Sequence, residues 1–296
     1  MSVCLENDIL KVTIDELGAQ LCSVRAHDGT EYIWQADPAI WGRHAPLLFP
    51  VIGRLAEGKY NLGTEGYSIP IHGFARDRVF TLEQPHAQQA VFCLTDDADT
   101  QAVYPFSFSL TVTYTLEHNR LIKTHRVENR SACDLFYELG GHDGYQLPLA
   151  PGESMSDYGV VVPGMNTLHP YGMNEQCMIT PKQDCYPLEQ GRIALTPSTY
   201  GLDTVILDEL PQRRALLVDG SGCPRVTVDF PDFPYLGLWT PDKPFDTNFV
   251  CIEPWSALPD AVFAGRGLDE KPGIRRLSPG VTETLTYITT FHERRS

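Results

Sequence analysis

Apolar and polar residues alternate with a period of two along much of the chain. Phe106, Phe108, Leu110, Val112, Tyr114 and Leu116 are interleaved with Ser107, Ser109, Thr111, Thr113 and Thr115. Successive side chains of an extended strand point to opposite faces, so this spacing predicts a strand with one apolar and one hydroxylated face. Leu10, Val12 and Ile14 repeat the pattern, as do Val226, Val228 and Phe230. The β-branched run from Val281 to Phe291 predicts a closing strand. Asp28-Gly29 and Glu117-His118-Asn119 each separate two such runs and predict hairpin turns.

No apolar period of 3.6 residues persists. Asp37 to Trp41 and Pro259 to Ala264 predict a turn or two of helix each. The 24 glycines and 23 prolines break the chain often, as many short strands require. The segment PDFPYLGLWTPDKPF, Pro231 to Phe245, carries too many large apolar groups for a linker and reads as ordered loop and strand. No repeat or compositional break divides the chain. The expectation is one all-β domain over residues 1–296, a large antiparallel β-sandwich.

Charge narrows the partners. A formal net charge of -15 at pH 7 lacks the basic footprint that binding to phosphate backbones or anionic membranes needs, so neither nucleic acid nor a membrane is expected. The N-terminus, MSVCLENDIL, shows no basic stretch followed by an apolar one, and no apolar run is long enough to span a bilayer. Eight scattered cysteines without a CxxC read as reduced thiols, several of them in a core, which points to the cytoplasm.

Four segments break the strand pattern with chemistry-bearing groups: FPVIGRL with Arg54, IHGFAR with His72 and Arg76, GGH with His142, and FVCIEPW with Glu253. A carboxylate that follows Phe249, Val250, Cys251 and Ile252 and precedes Pro254-Trp255 sits at an apolar strand's mouth. Desolvation there is expected to raise its pKa and suit it to general-base work, although a simple structural ion pair fits the same pattern. Trp239 and Trp255 offer apolar walls for a sugar face. His142 follows two glycines that let the backbone approach a ligand or take a positive φ, and its ordinary pKa of about 6.5 suits proton delivery near neutrality. A histidine bonded to a backbone carbonyl in a bend is the competing reading. His72, Arg54 and Arg76 taken singly read as turn and surface residues.

Taken together and in this order, the four segments resemble the aldose 1-epimerase (galactose mutarotase-like) superfamily, in particular its LacX-like branch. The resemblance runs from ENDILKVTIDELGAQLCSV to the last strand and implies a galactose mutarotase-like sandwich, in agreement with the period-two reading. It implies Glu253 as the base at the anomeric hydroxyl, His142 as the acid at the ring oxygen, and His72 as an orienting or polarising histidine. It also implies Arg54 as a sugar-binding arginine and Asp203, in TYGLDTVIL, as a carboxylate for sugar hydroxyls. No metal or organic cofactor is implied, the partner is a small sugar, and a monomer and a homodimer are equally compatible.

The branch usually follows GGH with Pro-Ala-Phe, where this chain has Asp143-Gly144-Tyr145. Asp143 could meet the acid histidine and raise its pKa, or point to the other face of its strand. Other readings are the same chemistry on a hexose 6-phosphate, with Arg43, Arg54, Arg76 or Arg78 as phosphate ligands, or a non-catalytic carbohydrate-binding protein. A glycoside hydrolase would want two facing carboxylates, whereas the expected partner of Glu253 is a histidine. A zinc site from His72, His142 and Glu253 lacks any short-spaced ligand pair.

Overall fold

The computed structural model describes residues 1–196, 204–241 and 247–294. Among these, two large antiparallel sheets face each other. One has nine strands, with Pro224–Asp229, Thr282–Phe291, Arg120–Asn129 and Phe108–Glu117 side by side at its centre. The other has eight, and its middle strand, Phe249–Trp255, is flanked by Tyr235–Trp239 on one side and by Gly140–Gly141 and Asp143–Gln146 on the other.

The alternation read from the sequence is what builds the interior. Phe108, Leu110, Val112, Tyr114 and Leu116 are buried on one face of their strand, and Val250, Ile252, Leu236 and Leu238 meet them from the opposite sheet in one apolar core. Both predicted hairpins form. Arg120 pairs with Glu117 across His118-Asn119, with His118 at φ 52°, and Ala26 closes onto Thr30 around Asp28-Gly29. The strands Leu10–Asp15, Pro224–Asp229 and Thr282–Phe291 also lie where periodicity puts them, and Tyr235–Trp239 is the ordered strand of the Pro-rich segment.

The two stretches read as weakly helical each give one turn and no more. Asp37 to Trp41 makes one turn through bonds to the Asp37 carbonyl, and Pro259 to Ala264 gives only a turn between Ala261 and Ala264. Among the described residues the α-helix is Ala98–Val103, started by a capping box in which Asp97 and Thr100 bond reciprocally. All eight cysteines are free thiols, but only Cys251 is buried, so the expectation of several core thiols fails. Cys4, Cys22 and Cys93 occupy partly or fully exposed positions of strands, and Cys133, Cys177, Cys185 and Cys223 lie in bends and loops. No described helix is long and apolar enough to cross a membrane.

Candidate active site

The outer face of the eight-stranded sheet carries the site. Because side chains alternate along Phe249–Trp255, Val250 and Ile252 point into the sandwich core while Phe249, Cys251, Glu253 and Trp255 share the other face. That face holds two apolar patches. Phe249 and Cys251 join Trp34 and Trp41 in one, and Trp255 joins Leu48, Ile206 and Leu258 in the other. Glu253 lies between them, 1% exposed, and accepts a hydrogen bond from Trp255 Nε1 at 3.2 Å.

On the neighbouring strand pair the same alternation turns His142 toward Glu253. His142 Nε2 stands 3.5 Å from Glu253 Oε2. The Trp41 ring stacks on the imidazole at 5.0 Å, and the Trp239 ring meets it edge-on at 5.5 Å. Burial under these rings lowers the His142 pKa to about 3, which favours a neutral imidazole. This departs from the expectation of an ordinary value near neutrality, because the sequence showed the flanking glycines but not the two tryptophans that exclude water.

His72 completes the group, its ring centroid 5.4 Å from that of His142. It occupies a left-handed backbone conformation, φ 64°, which a β-carbon-bearing residue adopts at a cost. Two bonds hold it there. The Gly53 amide donates to His72 Nδ1 at 3.0 Å, and the His72 amide donates to the Gly53 carbonyl at 2.8 Å. With Nδ1 accepting, the neutral ring carries its proton on Nε2. Burial, and the nearby His142 and arginine side chains, keep the ring neutral by pushing its pKa well down.

These groups wall a cavity of about 300 Å³, at the small end of the range for small-ligand sites. Arg54 and Arg76 reach its wall. Arg76 and Arg43 share Asp77, at 3.6 and 2.8 Å, while Arg54 is exposed and has no ion pair among the described residues. Asp203 lies outside the described residues. A wider depression of about 990 Å³ lies around Asp157, Asp219 and Arg225, and none of the described residues predicted for the site lines it. Its Asp157 and Asp219 are engaged in capping turns at Ser154 and Ser221.

Asp143 does not enter the cleft. Adjacent to His142 on a strand, it points to the opposite face and into the core, where Lys123 Nζ reaches its two oxygens at 2.7 and 2.6 Å. Tyr287 Oη donates to it at 3.2 Å. The substitution at Gly144 does touch the site. Its amide donates to the His44 carbonyl at 3.0 Å and its carbonyl accepts from the Trp34 amide at 2.9 Å, which hangs the loop bearing Trp41 on this strand. A Cβ at Gly144 would come within 3.0 Å of the Trp41 ring, so glycine permits the stack on His142.

A model of the family described as aldose 1-epimerase matches residues 1–269. The chain belongs to the aldose 1-epimerase family. Protein LacX of a Lactococcus lactis subsp. lactis plasmid is 31% identical over 303 residues, covering 98% of this chain and 99% of that one. A galactose mutarotase related enzyme from Lactobacillus acidophilus superposes with TM-score 0.93 at 32% identity, over 99% of this chain and 98% of its own. A galactose mutarotase-like protein from Lactobacillus casei gives TM-score 0.91 at 31% identity, over 99% and 100%. The resemblance seen in four short segments therefore extends over an aldose 1-epimerase family fold, the galactose mutarotase-like sandwich.

Within this aldose 1-epimerase family member, sequence reasoning missed Trp41, whose Asp37-to-Trp41 turn carries no distinguishing signal. It also missed Gly53, whose role is purely a backbone amide. Among the described residues, the trio able to approach one metal ion is His142, Cys251 and Glu253, with ligand atoms all within 4.8 Å, and not the set with His72. Burial pushes the Cys251 thiol well above its ordinary pKa, which disfavours the thiolate a metal would need.

Proposed function

We propose that the chain is an aldose 1-epimerase that interconverts the α and β anomers of a free hexose, with Glu253 and His142 moving the protons. The observation that carries this reading is the 3.5 Å approach of Glu253 Oε2 to His142 Nε2 at the base of a cavity the size of one sugar ring. Glu253 takes the proton of the anomeric hydroxyl, whose electrons form the C1 carbonyl. The C1–O5 bond breaks toward O5, which takes a proton from His142. Rotation about C1–C2 and the reverse transfers close the other anomer.

His72 donates Nε2–H to an oxygen of the same region, and Trp239, Trp41 and Trp255 offer apolar faces to the ring carbons. Arg54 binds hydroxyls from the rim, and the family resemblance assigns Asp203 a similar part. Burial favours the neutral form of His142, so the step requires the Glu253–His142 pair to take up one proton from solvent and to hold it on His142 when the sugar binds, and the pH–rate profile reports a value belonging to the pair.

Arg54 and Arg76 in the cavity wall favour one further reading, an anionic substituent such as a 6-phosphate on the same sugar. Polarimetry or NMR exchange on α-glucose, α-galactose and glucose 6-phosphate side by side separates these. The expected result is acceleration for a free hexose, cut roughly 10²–10⁴-fold in Glu253→Gln and in His142→Asn. Wild-type rates in both variants refute the roles. Preference for glucose 6-phosphate favours the anionic reading, and saturable binding without acceleration favours a carbohydrate-binding protein.

A further inference from the structure

Behind the cleft lies a buried charge network that no sugar can touch. Lys271 Nζ reaches Asp260 Oδ1 at 2.6 Å and Glu138 Oε1 at 3.3 Å. Glu138 is fully buried, Lys271 is 4% exposed and Asp260 8%, and none of them borders the cavity. Each carboxylate spends its other oxygen on a backbone amide of a single segment. Glu138 Oε2 accepts from the Ile52 amide at 2.6 Å, and Asp260 Oδ2 accepts from the Ala56 amide at 2.8 Å. The Glu138 amide also donates to the Pro50 carbonyl at 2.8 Å. Between these anchors stand Gly53, whose amide bonds His72 Nδ1, and Arg54 on the cavity wall.

We propose that Glu138, Lys271 and Asp260 are positioning residues that clamp segment 50–56, so that Gly53 fixes the His72 tautomer and Arg54 is held at the cleft. The inference rests on the anomerisation reading above. Two carboxylates and one ammonium in the interior are costly, and apolar residues of similar volume often serve stability as well or better. Burial lifts the Glu138 carboxyl to about 7 even against the pull of Lys271 and the Ile52 amide. Apolar replacements, however, offer no acceptor. Only oxygens pinned in place can fix the Ile52 and Ala56 amides, and so set the direction in which the Gly53 amide points between them. Lys271 makes this tolerable by pairing both carboxylates at once. It also ties the segment to the chain that follows the strand bearing Glu253, and the Asp260 carbonyl accepts from Ile179 at 2.7 Å on the sheet's edge strand.

Variants of the full chain test this. Glu138→Gln keeps an acceptor for the Ile52 amide, whereas Glu138→Leu removes it and Lys271→Met removes the bridging charge. Long-range ¹H–¹⁵N spectra of the imidazoles report the His72 tautomer whether or not any sugar turns over. In wild type and Glu138→Gln the expected result is a single Nε2–H tautomer, with kcat/KM within about threefold of each other. In Glu138→Leu and Lys271→Met a tautomer mixture and at least a tenfold loss of kcat/KM are expected, with the far-UV spectrum retained. Folded Glu138→Leu and Lys271→Met proteins with the wild-type His72 spectrum and rate overturn the proposal. Should either variant fail to fold, Asp260→Ala, which frees the Ala56 amide alone, is read in the same way. A wild type that anomerises no sugar defeats the function proposed above while leaving the tautomer comparison intact, so the two failures are distinguishable.

Discussion

At the scale of single residues, the site works by withholding water from groups that would otherwise titrate near neutrality. His142 and His125 are both buried, and burial takes each to about 3, His125 within the sandwich core and His142 under two tryptophans. The unfolded chain protonates such histidines near 6.5 and the folded one does not, so the unfolded state binds more protons between about 3 and 6.5. Stability is therefore fully present above 6.5 and is lost as pH falls through that window. For one such histidine the loss from pH 7 to pH 5 is about 2 kcal/mol. Urea unfolding at both pH values should show His142→Asn losing less stability than wild type by about that amount. Equal losses in the two proteins would mean that His142 is solvated in the folded state. Glu253, His142, His72, Arg54 and Arg76 were all legible as candidates, because each interrupts an apolar or glycine-rich run. Trp41 was not, since a tryptophan after a short turn looks the same whether it covers a histidine or a loop.

At the scale of elements, alternation along a strand decides which neighbours share chemistry. It separates Glu253 from Ile252 and His142 from Asp143, sending one of each pair to the cleft and the other to the core. The short strand Gly140–Gly141 is tight for the same reason. A Cβ on Gly141 would overlap the hydroxyl of Tyr287, which is already held between Lys123 and Asp143. Gly141→Ala should therefore cost about 1–3 kcal/mol of stability, read from the urea midpoint, through overpacking of a buried polar contact. An unchanged midpoint would show that the two sheets slide apart freely at this point. The GGH motif was read as two glycines making room for a ligand, yet Gly141 makes room for the opposing sheet. The helix Ala98–Val103 escaped notice because six residues are too few to show a period, and only its Asp97/Thr100 capping box marks it.

Across the described residues, the two sheets are joined by apolar packing and by a buried ion pair, Lys123 with Asp143, each side chain 2% exposed. Lys123 Nζ also lies 5.1 Å from the centre of the Tyr287 ring. Lys123→Met leaves the Asp143 carboxylate uncompensated in the interior and should cost about 3–5 kcal/mol. Lys123→Met/Asp143→Leu should recover most of that in denaturant titrations, since the cost lies in the unpaired charge. A double variant as weak as the single one would assign the pair a different role. Period-two alternation with frequent Gly and Pro sufficed for an antiparallel sandwich, because burying one face of a strand is a local constraint written in consecutive residues. The identity of the chemical groups was likewise written in the four segments. What only the tertiary structure decided is who meets whom: Glu253 with His142, 111 positions apart in the chain, Lys123 with Asp143, and Lys271 with Glu138 and Asp260. Register between strands far apart in the chain fixes these encounters, and no spacing along a single strand encodes a distance across a sheet.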